Sequence, residues 1–98
     1  GLLGAREPER GEGLLLVPCN GVHMFGMRYA LDVVFMDRAE RVVRVVSALR
    51  PGRMVPRVRG AHAALEFPVG VIEASGTLPG DVLTYTPRGA AESEERAA

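Results

Sequence analysis

The chain has 98 residues, which is enough for one domain built around one hydrophobic core. Apolar residues make up 47% of the chain and charged residues 24%, a balance that excludes a disordered chain, a fibrous repeat and a membrane-spanning protein. The formal net charge is zero and every basic residue is an arginine, so only a local patch of charge can attract an anionic partner.

The N-terminal residues 1–13 mix a short apolar pair with charges and predict a frayed helical turn or an entry loop. They lack the basic start and long apolar core of a signal peptide, and no run in the chain approaches the roughly 20 apolar residues that span a bilayer. We therefore expect no membrane span. A cytoplasmic location is favoured, with an exported form whose leader was trimmed as the alternative.

The first predicted strand is the apolar run at residues 14–18, which ends at Pro18 because proline has no backbone donor for a sheet. The clearest unit is a hairpin, in which two valine-rich runs flank the polar residues 37–40. Branched and aromatic side chains favour strands, and four polar residues are an ordinary hairpin connection. Since the apolar residues do not alternate strictly, we expect both faces of these strands to be covered.

The second half of the chain predicts shorter elements. In chain order they are an edge strand within residues 50–60 after a turn at Pro51 and Gly52, a strand ending at Pro68, a two-turn helix capped by Gly76, a turn at residues 77–81 and a final strand at residues 82–86.

Together these elements predict a mainly β fold, namely a compact antiparallel β-sandwich or small barrel with one short helix. We find no internal repeat. A single β domain is expected over residues 1–88, and the polar residues 89–98 are expected to form a flexible tail.

The segment before the hairpin concentrates soft and reactive side chains. Cys19, His23 and Met27 recur at every fourth position, a donor set that suits copper better than zinc, and His62 could serve as a fourth ligand. Four residues of extended strand span about 13 Å, whereas two ligands of one ion lie no more than about 4.6 Å apart. A metal site therefore requires a folded loop. The alternative is that Cys19, Phe25 and Met27 pack into the core.

An enzyme built on this segment would use Cys19 as the nucleophile, His23 or His62 as its base, and Asp32 as the group that orients the base. No glycine-rich elbow or helix start lies beside Cys19 to activate its thiol. We therefore assign no catalytic residue.

Asp32 and Glu66 each lie within an apolar stretch, and a buried carboxylate must find partners. In one interpretation the two acids accept backbone donors, or pair with an arginine such as Arg28, and tie strands together. In the other they line the rim of a pocket. The sequence leaves both interpretations open.

The neutral net charge conceals a basic band between residues 41 and 65, which contains no acidic residue. Its members are Arg41, Arg44, Arg50, Arg53, Arg57 and Arg59. If they share a face, the band binds a carboxylate or phosphate ligand or an acidic protein segment, with the last four as the anion-binding set. The alternative is an edge strand that charge protects from aggregation. Few aromatic side chains are available to stack on bases, so we expect no nucleic acid partner.

Several separated motifs occur in order along residues 11–86. They are His23 before Gly26, Met27 and Arg28; Leu31 and Asp32 before the hairpin; Leu65, Glu66, Pro68 and Gly70; and Pro79, Gly80 and Asp81. With these motifs the chain resembles the small bacterial and archaeal family called domain of unknown function 192. The resemblance implies a compact, mainly antiparallel β-sandwich or barrel with a short helix. It implies no activity, ligand or partner, and relatives usually have a further strand and helical turn before the point where this chain begins.

We therefore predict a non-enzymatic binding or accessory module whose cleft lies between residues 19–32 and 62–66, with arginines at its rim. The candidate ligand-binding residues are His23, Met27, Arg28, Asp32, His62 and Glu66. The expected partner is a small anionic ligand or an acidic protein segment, and no cofactor is expected. The alternative is a copper- or zinc-binding protein or a Cys/His enzyme that uses Cys19, His23, Met27 and His62.

Overall fold

The computed structural model describes residues 12–85. Within them it contains six strands and one short helix, which are β1 Leu14–Leu16, β2 Val22–His23, β3 Leu31–Met36, β4 Val42–Leu49, β5 Met54–Val55, β6 Ala63–Pro68 and α1 Val71–Ser75. The strands form two antiparallel sheets, and the larger one is not closed into a barrel. The predicted mainly β class with one short helix is confirmed, and the barrel alternative is excluded.

The main sheet has the strand order β1-β6-β3-β4, so β3 lies inside it between two neighbours. All six residues of β3 are buried, as the hairpin pattern predicted. The hairpin turn at residues 37–40 is also confirmed, because β3 and β4 pair antiparallel on either side of it. Asp37 shapes this turn: its carboxylate Oδ1 accepts hydrogen bonds from the backbone N–H groups of Ala39 and Arg41 at 2.8 and 3.0 Å.

Alternation along β3 divides the core in two, because successive side chains of a strand point to opposite faces of the sheet. Leu31, Val33 and Phe35 belong to one cluster, which also contains the buried residues of β2 and β5. Val34 and Met36 belong to a second cluster, which contains the buried residue of α1. The molecule therefore has three layers: the ribbon (residues 19–28 and 50–62), the main sheet, and the helix layer (residues 69–85).

The ribbon is a two-stranded sheet with its flanking turns. β2 pairs with β5, with Val22 opposite Val55 and His23 opposite Met54. Backbone hydrogen bonds extend this pairing on both sides, from Cys19 to His62 at 2.7 Å, from Val58 to Asn20 at 2.6 Å and from Met24 to Arg53 at 2.8 Å. The strand predicted within residues 50–60 is confirmed as the short edge strand β5.

Close backbone approach in the ribbon depends on Gly21. A Cβ atom at this position would lie 2.8 Å from the carbonyl oxygen of Val55 and 3.1 Å from the backbone nitrogen of Arg57. Both are backbone atoms that cannot move aside as a side chain can, so only glycine fits here. The sequence pattern did not predict β2, because a strand of two residues is too short to show a period.

The alternative prediction, that Cys19, Phe25 and Met27 pack into the core, is correct for Cys19 and Met27 and wrong for Phe25. Cys19 and Met27 are buried in the core at 5% and 7% exposure, whereas Phe25 is 52% exposed. Val22 and Met24 point inward, whereas Phe25 lies in the turn after β2, where its ring stacks on that of His23.

The predicted short helix is confirmed as α1, which is separated from the end of β6 at Pro68 by Val69 and Gly70. Gly76 caps its C-terminus with a φ of +68°, and the Gly76 N–H donates to the carbonyl of Ile72 at 2.9 Å. Ile72 is the buried residue of the helix and packs into the second core cluster.

The predicted final strand at residues 82–86 is wrong for the residues described. Val82 forms a single bridge with Arg41, and residues 83–85 are not in a strand. This segment instead hydrogen-bonds to the start of β4, with the Leu83 N–H donating to the carbonyl of Glu40 at 3.0 Å. Glu40 has a left-handed φ of +63°, which interrupts the extended backbone that a continued strand pairing would need.

Tyr85 packs against the second core cluster beside Glu40 of the hairpin turn. Burial raises the pKa of Tyr85 above its ordinary value of 10.0, and the negative charge of Glu40 and a hydrogen bond to its carboxylate raise it further.

The predicted tail at residues 89–98 and nearly all of the predicted entry loop lie outside the described residues. In the described part of the chain, no helix has the length and apolar character needed to cross a membrane.

Candidate functional site

Asp32 lies on β3 and is 1% exposed. Its Oδ1 accepts a hydrogen bond from the backbone N–H of Ala48 at 2.8 Å, and its Oδ2 accepts from those of Gly70 and Ile72 at 3.1 and 2.9 Å. Ala48 lies at a bulge of β4 and has a φ of +52°. The carboxylate therefore ties this bulge to the start of α1, which agrees with the structural interpretation of this acid.

Glu66 is fully buried on the other face of the main sheet. It stands opposite Val33 and Leu14 in the strand register, whereas Asp32 stands opposite Phe67. Because cross-strand partners share a face, Glu66 points toward the ribbon and Asp32 points toward the helix layer. The structure thus places the two candidate acids on opposite faces of the main sheet.

Cys19 and His62 approach each other through their backbones, because the Cys19 N–H donates to the His62 carbonyl at 2.7 Å. The thiol of Cys19 donates to the carbonyl of Gly21 at 3.1 Å inside the core. A thiol in this position packs as a small apolar group. The geometry therefore favours the core interpretation of Cys19 over its role as a nucleophile.

The four side chains of the metal alternative lie in different surroundings. Cys19 and Met27 are buried in the core, His23 lies on the outer face of the ribbon, and His62 lies beside the hairpin turn. Among residues 12–85, no three His, Cys, Asp or Glu side chains are grouped so that they could hold a metal ion. Arg28, another candidate binding residue, is exposed directly after the buried Met27.

His62 lines an open groove of about 470 Å³ at the hairpin turn. The other lining residues are Asp37, Arg38, Ala39, Gly60 and Ala61. Sequence reasoning missed Arg38 because the groove brings the turn and the loop before β6 together only in three dimensions. The His62 imidazole and the Arg38 guanidinium in this groove can donate hydrogen bonds to a small polar molecule.

The ribbon concentrates exposed positive charge. It contains no acidic residue and five exposed arginines, namely Arg28, Arg50, Arg53, Arg57 and Arg59. In the described part of the chain, none of these guanidinium groups has a hydrogen bond or ion pair. Arg41 and Arg44 lie apart on or beside β4, and Arg41 donates to the carbonyl of Gly80 at 2.9 Å. The structure thus separates the four arginines of the predicted anion-binding set from the other two of the band.

His23 differs from the arginines because it is partly buried. Its ring stacks on that of Phe25 with centroids 4.9 Å apart and an interplanar angle of 26°. Its Nδ1 atom is buried without a hydrogen-bond partner among the described residues. The histidine therefore supports Phe25 and contributes an aromatic surface to the outer face of the ribbon.

Comparison with known proteins agrees with the motifs. The model of the family domain of unknown function 192 (DUF192), described as an uncharacterised ACR, matches residues 1–85. The chain belongs to this family. Among curated DUF192 relatives, a UPF0127 protein of Thermococcus sibiricus is 38% identical over 64 residues, and one of Thermococcus kodakarensis is 33% identical over 66 residues.

The match covers 65% and 67% of this chain but only 41% of each of these relatives, so the DUF192 chain spans about two fifths of their length. A crystal structure of a protein of unknown function from Novosphingobium aromaticivorans is similar with a TM-score of 0.76 and 24% sequence identity. The similarity covers 87% of this chain and 65% of that protein. At this identity the likeness shows the fold alone.

Proposed function

We propose that this DUF192 domain is a non-enzymatic binding module that holds an anionic partner on its ribbon. The observation that carries this proposal is the set of five exposed ribbon arginines without an acidic residue among them. Each guanidinium presents a planar fork of donors that fits a carboxylate or a phosphate. Because these charges are not neutralised within the described chain, a carboxylate or phosphate of a partner can approach them without displacing an internal acid.

The ligand-binding set under this proposal is narrower than the set of candidate residues. It consists of ribbon residues with exposed or partly exposed side chains, which are His23, Arg28, Arg50, Arg53, Arg57 and Arg59. Met27, Asp32 and Glu66 are buried, so they support the fold beneath the surface. His62 serves the separate groove at the hairpin turn.

The alternative use of these arginines is to keep the edge of β5 from pairing with other chains. That role needs charge alone and predicts no saturable binding. A binding role predicts a stoichiometric complex whose affinity falls as salt rises, because exposed charges are screened. A measurement of saturable, salt-dependent binding therefore distinguishes the two roles.

The experiment is a titration of isotope-labelled protein, followed by NMR, with inorganic phosphate, citrate and a short glutamate-rich peptide at about 50 and 300 mM salt. We expect saturable shifts of ribbon resonances with at least one probe and weaker binding at high salt. The double variant Arg50→Ala/Arg53→Ala should lose this binding. Arg44→Ala should keep it, because Arg44 is an exposed arginine outside the ribbon.

Two results would contradict the proposal. One is the absence of saturable shifts with all three probes at low salt. The other is equal loss of binding in the ribbon variant and in Arg44→Ala, since this would assign the effect to net charge rather than to the ribbon.

A further inference from the structure

The outer face of the ribbon exposes apolar side chains. Phe25 is 52% exposed and Met54 is 49% exposed, whereas Val22, Met24 and Val55 on the inner face are at most 6% exposed. A single exposed apolar residue is common on protein surfaces. A group of neighbouring ones on one face marks a surface that contacts another molecule.

Phe25 and Met54 are joined into one patch by His23. The His23 and Phe25 rings stack with centroids 4.9 Å apart, and His23 stands directly opposite Met54 in the register of β2 and β5. Side chains of opposite residues on adjacent strands lie on the same face and contact each other. We call these three residues the anchor patch.

The turn next to the strands of the anchor patch carries two exposed arginines, Arg50 and Arg53. The turn that carries Arg50 and Arg53 is held against β2, since the Met24 N–H donates to the Arg53 carbonyl at 2.8 Å and the Gly52 N–H donates to the Met24 carbonyl at 2.9 Å. Arg53 directly precedes Met54, and Met24 directly precedes Phe25. The turn that carries the two exposed cations is therefore bonded to the strand segment that leads into Phe25 and is continuous with Met54.

We propose that the partner of the anchor patch is an acidic protein segment with an apolar side chain next to its carboxylates. This inference depends on the function proposed above and specifies the partner. A free phosphate or a small carboxylate would use the arginines and leave Phe25 and Met54 in water. A segment with both groups pairs its carboxylates with Arg50 and Arg53 and covers the patch, and aromatic, methionine and arginine side chains are those enriched in protein interfaces.

The test compares two peptides by fluorescence anisotropy. The anchor peptide is a short glutamate-rich peptide with one phenylalanine, and the acid-only peptide has alanine in its place. We expect the protein to bind the anchor peptide about tenfold more tightly, because burial of a phenylalanine side chain favours the complex. Phe25→Ala should reduce the two affinities to the same value, and Met54→Glu should weaken binding of both peptides by repulsion.

The matched control is Leu78→Ala, which removes an apolar side chain that is 63% exposed on the helix layer. It should leave both affinities unchanged. Because Phe25 and Met54 are about half exposed, their variants should unfold at nearly the wild-type temperature, which circular dichroism measures.

The outcomes separate this inference from the proposed function. Equal affinity of the protein for both peptides would overturn the inference and leave the binding function standing. Absence of binding to either peptide, together with no response to phosphate or citrate, would overturn both. Concentration-dependent dimerisation that Phe25→Ala abolishes, or sedimentation with phosphatidylserine vesicles without peptide binding, would overturn the inference in favour of a second copy or a lipid surface.

Discussion

The ribbon and the helix layer cover opposite faces of the same sheet, yet they differ in charge and in the use of their polar groups. The helix layer contains no basic residue, and its charged residues are Glu73 and Asp81. The Asp81 carboxylate accepts a hydrogen bond from the Leu78 N–H at 2.8 Å within a turn. The ribbon contains no acidic residue, and its arginine side chains have no such partners within residues 12–85.

This contrast separates polar groups that hold the fold together from polar groups that are available to a partner. A carboxylate that accepts several backbone donors, as Asp32 does, satisfies groups that would otherwise be buried unpaired, and its removal costs stability. An exposed guanidinium without a partner contributes little to stability. Substitutions of buried residues on either side of the sheet should therefore affect folding, and substitutions of exposed ribbon residues should affect binding.

The largest difference in stability is expected between substitutions of two phenylalanines, one beneath the ribbon and one on its outer face. Phe35 is fully buried beneath it and Phe25 is 52% exposed. Phe35→Ala should lower the free energy of unfolding by about 3–5 kcal/mol because it leaves a cavity, and Phe25→Ala should lower it by less than about 1 kcal/mol. Urea denaturation measures both. Similar losses in the two variants would mean that the outer face is part of the core.

The next largest difference in stability is expected between substitutions of two aspartates that accept backbone hydrogen bonds. Asp32→Ala should lower the free energy of unfolding by about 3 kcal/mol, because it removes the acceptor of three backbone hydrogen bonds, of which the one from Ile72 is buried and those from Ala48 and Gly70 are partly buried. Asp37→Ala should cost about 1 kcal/mol, since the hairpin turn is open to water. Where the Asp32 variant remains folded at low temperature, its affinity for anionic probes should equal that of the wild type. A selective loss of affinity would place Asp32 in the binding site.

A smaller difference in stability is expected between substitutions of two glycines, one in the ribbon and one in the helix layer. Gly21→Ala should cost about 2 kcal/mol, because the new Cβ would meet the carbonyl oxygen of Val55 at 2.8 Å. Gly76→Ala should cost about 1 kcal/mol, because its φ of +68° disfavours a side chain although nothing lies within 4 Å. NMR spectra should show ribbon shifts for the first variant only. Unchanged ribbon shifts in Gly21→Ala would contradict the close approach of β2 and β5.

The smallest effect is a pH dependence in the helix layer. Since burial and Glu40 raise the pKa of Tyr85 in the folded protein, this group contributes stability that is fully present below about pH 10 and is lost as pH rises through the raised pKa. Tyr85→Phe lacks this loss. The difference in unfolding free energy between wild type and variant should therefore shift in favour of the variant above pH 10. A constant difference from neutral to alkaline pH would contradict the shift.

Much of the fold follows from local sequence signals. The valine-rich runs on either side of residues 37–40 predicted the hairpin, Pro68 predicted the end of β6, and Gly76 predicted the end of α1. These features depend on neighbouring residues, because strand preference, a missing donor and a left-handed cap are local properties. The prediction of the final strand failed for the opposite reason: its β-branched and aromatic residues favour a strand, but within residues 12–85 its pairing is limited to the bridge of Val82 to Arg41.

The candidate site was less accessible to prediction. The basic band was visible in the sequence, yet the separation of the ribbon arginines from Arg41 and Arg44 was not. The burial of Asp32 and Glu66 was expected, but their opposite faces were not. Strand register decides which side chains share a face, and a shift of one residue reverses every assignment.

The sequence by itself determined the mainly β class, the central hairpin, the short helix and the membership in DUF192, because each depends on patterns within a few neighbouring residues or on motifs in fixed order. Sequence patterns did not show that Phe25 and Met54 are both exposed on the ribbon or that positive charge collects on this layer. Those features depend on which strands pair and which faces are covered, and such contacts join residues that lie far apart along the chain.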